Sequence, residues 1–227
     1  MISGEVSAPF VGIVEEVPPP ALTCPAPPSK PEIILNFENK TPVFSSAKSS
    51  RELGQITTST VVSHHRDEVF LTGGITSSNI SSRIQMSFAR AGWEGEKRGC
   101  AYPHKVEVTI VYAPEVFIAS GYAPGSCRYQ TTMQHELRHV NTDVITLNEF
   151  MPFVKKTLQQ SLDAIPAPTP QLPPVMDQKE AAMLEGVKAA LAQAMTTMNI
   201  SRMQRQQLID TRQEYMRMTN ACPNERP

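Results

Sequence analysis

The run MQHELRHVNTD carries His135, Glu136 and His139 in the order His-Glu-x-x-His. On a helix, residues four apart lie one above the other on a single face. Two imidazoles so placed can reach one Zn2+, each through a bond of about 2.0–2.1 Å. Glu136, directly after the first histidine, is angled to accept a proton from zinc-bound water, whose pKa the metal brings to about 7. Both ligands and a general base then fall within little more than one helical turn, the arrangement of a zinc-dependent peptide hydrolase. The same residues in the same order also arise on solvent-facing helices that hold no metal.

A tetrahedral site needs a third protein ligand. Asp143 lies four residues beyond His139, on nearly the same face. His135 and Asp143 are eight residues apart, about 12 Å along an unbroken helix, so Asp143 ligates only if the helix unwinds around Asn141 and Thr142. Otherwise it orients His139 through the other ring nitrogen, or is a plain surface acid. Further candidates are His104, Glu149, Asp163, Glu180 and Glu185. His64 and His65 are adjacent and read as loop residues. Tyr112, Tyr122 and Tyr129 could donate to an oxyanion, although core or rim packing is the favoured reading of each. Seven of the eleven methionines lie at or beyond Met176; their helical spacing favours packing over a soft-metal site.

The elements that must position this chemistry read as follows. Residues 1–32 are Pro-rich and predict an extended segment. EIILNF predicts a first strand, residues 40–60 loops, and DEVFLTGG (67–74) a strand ended by Gly-Gly. Ile80, Ile84 and Phe88 recur at a spacing of four and predict a helix over 77–89. AGWEGEKRGCAYPH reads as a loop. KVEVTIVY (105–112) has the period-two pattern of a half-buried strand, and a short extended piece and a turn-rich loop follow it. The helix bearing HELRH is predicted to start near Tyr129. Its core stripe is Met133, Leu137, Val140, Val144 and Leu147, with the histidines on a separate face and a break near Pro152. IPAPTPQLPP (165–174) is a semi-rigid linker. Residues 176–219 predict helix with a bend or new cap at Asn199–Ser201.

Net charge is -1, which argues against broad binding to nucleic acid or anionic membranes. No apolar run approaches the roughly 20 residues that span a bilayer. The opening MISGEVSAPFVGIVEEV lacks a basic region and does not read as a signal peptide, which leaves a cytoplasmic location open. Cys24, Cys100, Cys127 and Cys222 form no CxxC pair, so a Cys-rich zinc site is not expected. Their even number permits disulfides and with them an oxidising compartment. Cys100 and Cys127 bracket the KVEVTIVY strand, and a bridge between them would staple a loop to the start of the HELRH helix. Cys24 and Cys222 would then form a second bridge.

The stretch from Gly99 to Val140, with its Cys before a V-x-V strand, its Gly-Ser loop and its HExxH helix, resembles a bacterial family of predicted secreted zinc-dependent proteases (domain of unknown function 922). LIDTRQEYMRMT carries a weaker likeness. The resemblance implies a zincin-like fold, export to the bacterial periplasm or beyond, and hydrolysis of a peptide or protein substrate, with His135 and His139 as ligands and Glu136 as catalytic base. Zincins also place a strand edge beside the metal for substrate pairing, for which KVEVTIVY is the candidate. The expected architecture is α+β, a small mixed or antiparallel sheet packed on the HExxH helix. The expected segments are a Pro-rich N-terminal segment (1–32), the zincin-like domain (33–164), a Pro-rich linker (165–175) and a C-terminal helical segment (176–227) able to dock a partner. The rival expectations are a non-catalytic envelope protein with a degenerate or structural metal site, and an assembly module in which HELRH is incidental.

Overall fold

The computed structural model describes residues 22–56, 72–93, 95 and 97–225. Its sheet is built around β4 (Gly99–Ile118), with β3 (Gly74–Gly92) antiparallel along one edge. Against the other edge lie β1 (Glu32–Asn39), parallel to Lys105–Tyr112, and β2 (Val43–Ser45), parallel to Glu115–Phe117. A short helix α1 (Ser50–Gly54) follows β2, and its N-terminus is closed by a capping box between Ser49 and Glu52. Three further helices complete the chain: α2 (Cys127–Asp163), α3 (Pro173–Gln207) and α4 (Arg212–Ala221). The fold is therefore mixed α and β. Among the described residues no helix is long and apolar enough to cross a membrane.

The strands follow from period-two burial. Val106, Val108, Ile110 and Tyr112 are buried and pack beneath α2 and α3. The predicted helix over 77–89 is part of β3 instead. A spacing of four fits both periods, and Ile80, Ile84, Met86 and Phe88 also alternate with Ser81, Arg83, Gln85 and Ser87, so strand pairing with β4 decides the outcome. Gly99–His104, read as loop, extends β4, and residues 40–60 hold β2 and α1. The predicted strand 67–74 falls mostly outside the described residues; its last residue opens β3. Because β4 is paired along both edges, its backbone is already satisfied over KVEVTIVY and cannot receive a substrate strand.

Helix α2 runs through Pro152 without a break. A proline inside a helix costs about 3 kcal/mol. Burial of Val154, Leu158 and Leu162 just beyond it, at roughly 1.5–3 kcal/mol each, outweighs that. The buried side of α2 also differs from the predicted stripe. Leu137 is exposed, whereas His135, Glu136, His139 and Asp143 are buried beside Val140 and Leu147. The covered arc spans roughly 140° at 100° per residue. The sheet takes one flank and α3 with α4 the other. Val187, Leu191, Ala194 and Met198 of α3 are buried in the core, so α3 packs its apolar face inside the molecule.

Helix α3 passes straight through Asn199–Ser201 and ends at Gln207. The chain turns over Leu208–Asp210 because Thr211 starts a new helix, its side chain accepting from the Glu214 amide. Two disulfides fix the periphery, Cys24–Cys100 and Cys127–Cys222. The expected Cys100–Cys127 bridge does not form: Cys100 lies at the start of β4 and Cys127 beyond its other end, and about 18 residues at 3.3 Å each separate them far past bridging distance. Both bridges are of the kind that forms and persists in oxidising compartments.

Cys127–Cys222 ties α4 to the start of α2, and Glu225 adds to the tie by accepting from the Cys127 and Arg128 amides at 2.9 and 3.0 Å. Closing a loop of 95 residues stabilises by on the order of 4 kcal/mol in the chain-entropy account. Replacing both cysteines by alanine is expected to lower the melting temperature by about 10 °C. The same variant should bind divalent metal more weakly, since the turn before α4 reaches into the site described next. Thermal melts paired with metal titration check both effects.

Candidate metal centre

His135 and His139 project from α2 one turn apart, and Asp210 enters from the α3–α4 turn. His135 Nε2 and His139 Nε2 lie 3.1 Å apart, and each lies 3.1 Å from Asp210 Oδ1. The three atoms form a nearly equilateral triangle. A tetrahedral ion with bonds of about 2.0–2.1 Å has donor–donor edges of about 3.3–3.4 Å, so the triangle closes on one cation with shifts of only a few tenths of an ångström. Among the described residues this is the group that could hold a metal ion.

The outer ring nitrogens decide what the inner ones offer. His139 Nδ1 meets the side-chain oxygen of Gln206. His135 Nδ1 lies 3.3 Å from Glu214 Oε1. Gln206 offers His139 Nδ1 only an acceptor, so that nitrogen donates and His139 Nε2 presents a lone pair, whereas His135 Nδ1 also has Arg138 Nη2, which only donates, at 3.0 Å. Two ring nitrogens and a carboxylate oxygen then converge, the His139 nitrogen without a hydrogen of its own. A cation satisfies that arrangement, and in its absence a proton must. Accordingly, although burial opposes a charge on His139, Asp210 holds its affinity for a proton above the ordinary value. Burial likewise disfavours ionised Asp210, but its interactions with the His135 and His139 imidazoles, which share that proton, win and hold it below the usual carboxylate range. A metal held here would compete with protons, and its apparent affinity should fall as the pH is lowered.

Glu214 is itself anchored. Arg217 binds it at 2.7 and 2.9 Å and Arg138 also donates to it, drawing it down to about 2 against the opposing effect of burial. Tyr215 donates to Asp210 Oδ1 at 3.1 Å and its ring stands 5.9 Å from that of His135. Residues 210–215 thus supply a candidate metal donor, a carboxylate beside His135 and a phenol.

Glu136 lies beneath the pair, nine-tenths or more out of solvent, and burial raises its pKa despite the neighbouring histidines. Thr76 of β3 donates to Glu136 Oε2 at 2.8 Å. The strand can approach this closely because Gly74 has no side chain: a Cβ there would stand 2.6 Å from Thr132 Cγ2 and 2.8 Å from Glu136 Oε1.

Asp143, the sequence candidate for third ligand, points away from the triangle. It is buried against Tyr112, which donates at 3.1 Å, and Arg202, at 3.0 and 3.2 Å. The remaining candidates are engaged elsewhere: Glu149 with Arg205, Glu180 with Arg90, Glu185 with Lys188, and Asp163 with Gln159. His104 lies within β4, and His64 and His65 lie outside the described residues. Tyr122 and Tyr129 pack against the core. Asp210 was legible only indirectly. Thr211-Arg-Gln-Glu214 has the Thr-x-x-Glu form of a helix start, which breaks the helix just after Asp210 and frees it to turn inward.

Comparison with protein-family models, with curated proteins and with solved structures found no match.

Proposed function

We propose that the chain is a zinc-dependent peptide hydrolase working in an oxidising, extracytoplasmic compartment. The observation that carries this reading is the convergence of His135 Nε2, His139 Nε2 and Asp210 Oδ1 beside a buried, base-like Glu136. Three protein donors leave one tetrahedral position open, as catalytic zinc sites do. Nitrogen and carboxylate donors in this number suit zinc among the common divalent ions. The bound cation supplies Lewis acidity, polarising a carbonyl and making water acidic enough to attack at neutral pH. Glu136 takes the proton from the attacking water and passes it to the leaving amine. Thr76 occupies its Oε2, which leaves Oε1 to carry that proton. The strand that runs past Glu136 is β3, and its outer edge has no partner strand among the described residues. An extended peptide pairing there would present its carbonyls to the site.

A second reading has an observation in its favour. His135 is 3 % and His139 6 % exposed, and the Asp210 side chain only 12 %. Closed sites of this kind hold structural metals. One experiment separates the two. Protein purified without chelator is analysed for metal and then assayed on a broad peptide library with and without chelation. One zinc per chain with chelator-sensitive cleavage supports the hydrolase. One zinc without cleavage rejects it in favour of the structural site. Protein that neither retains nor takes up a divalent metal rejects both.

A further inference from the structure

We propose that Gln206 is a positioning residue that locks His139 in the tautomer with its hydrogen on Nδ1, and that Asp143 sets the direction of the Gln206 amide. The proposal rests on the metal-site reading of His135, His139 and Asp210. Gln206 is 2 % exposed, so its amide must be satisfied by protein. Its NH2 end lies 2.9 Å from the His139 carbonyl oxygen and also contacts Asp143 Oδ1. A carbonyl and a carboxylate only accept, so both require the NH2. The amide oxygen is then forced toward His139 Nδ1. Having no hydrogen to give, that oxygen selects Nδ1–H and leaves the Nε2 lone pair aimed at Asp210 and His135.

The chain of control ends in a fixed ion pair. Arg202 Nη1 donates to both oxygens of Asp143, and Tyr112 and Ser78 also donate to Oδ2, at 3.1 and 3.4 Å. Arg202, which only donates, fixes the way the Asp143 carboxylate faces. Groups from β3, β4, α2 and α3 thereby converge on one amide, and α3 is coupled to a metal ligand that lies on α2. This accounts for a buried acid four residues past the second histidine that takes no part in the triangle.

The test uses the full chain, labelled with 15N and free of metal, at a pH where imidazole is neutral. Long-range proton–nitrogen correlation reads the His139 tautomer, and competition against a chromophoric chelator reads zinc affinity. The parent is expected to show Nδ1–H. Gln206→Met, similar in length but unable to hold the Nδ1 hydrogen, should shift His139 toward Nε2–H and bind zinc about 10–100-fold more weakly. A parent in the Nε2–H form overturns the proposal, and so does a folded Gln206→Met with unchanged tautomer and unchanged affinity. If Gln206→Met fails to fold, the parental tautomer decides alone. Neither readout involves turnover: a chain that cleaves no peptide yet behaves as expected keeps this inference and loses the hydrolase.

Discussion

Asp210→Ala is expected to abolish tight metal binding while leaving the chain folded, and Asp143→Ala to destabilise the fold above all, lowering metal affinity only indirectly, through Gln206. The two acids differ in what each would leave behind. Asp210 belongs to a triangle with 3.1 Å edges and enters it from the turn between α3 and α4, outside the packed helices. What is lost is one donor of three. Binding energies of roughly 10–16 kcal/mol for four-donor structural zinc sites correspond to about 2.5–4 kcal/mol per donor, so affinity should drop by about 70-fold to a thousandfold. Asp143 is 1 % exposed and faces Arg202, whose side chain is 11 % exposed. Removing it strands a buried guanidinium and takes the acceptor from Tyr112 and Gln206. Breaking a buried pair in this way costs about 3–5 kcal/mol, a large part of the stability of any domain. Denaturant unfolding and metal titration of both variants check the crossing. Loss of metal in a folded Asp143→Ala chain, with binding intact in Asp210→Ala, would return the third ligand to α2.

The contrast between these acids also shows where sequence reasoning reached and where it stopped. HELRH on a helix after a central strand was visible because the i, i+4 spacing and the alternation of Val106, Val108, Ile110 and Tyr112 are local signals. The third donor is 71 residues from His139, and no local period reports such a meeting. The nearest clue was the helix-start chemistry of Thr211 and Glu214, which fixes a turn without saying what the turn faces. The histidine face was expected to stand apart from the core because α2 alone shows an apolar stripe elsewhere. It is buried because α3 and α4 fold back over it. The helix expected over 77–89 failed for a different reason: Ile80 and Ile84 obey both periods, and only pairing with β4 selects the strand. The cysteine pairing was missed because adjacency along the chain was taken for adjacency in space. Cys127 instead meets Cys222, 95 residues on, at the end of the segment that carries Asp210, Glu214 and Tyr215 to the site.

Glu136→Gln should lower peptide hydrolysis by about 10²–10⁴-fold, the usual contribution of a positioned general base, with metal still bound. The side chain keeps its length, so the close approach of β3 at Gly74 is preserved. Thr76 can still donate to the amide oxygen that replaces Oε2. The nitrogen that replaces Oε1 cannot take a proton, and the proton path ends there. Burial raises the proton affinity of the carboxylate more than His135, His139 and Thr76 lower it, which makes Glu136 a stronger base than a surface glutamate. A neutral amide in that place also costs less to bury than a carboxylate, so the variant should unfold no more readily than the parent. Activity, zinc content and denaturation midpoint measured on one preparation separate the outcomes. A loss of turnover with zinc content and midpoint retained assigns the chemistry to Glu136. Equal turnover in parent and variant, with zinc at full occupancy in both, excludes Glu136 as the base. Zinc lost from the variant would mean that Glu136 serves the metal directly, leaving the proton to another group.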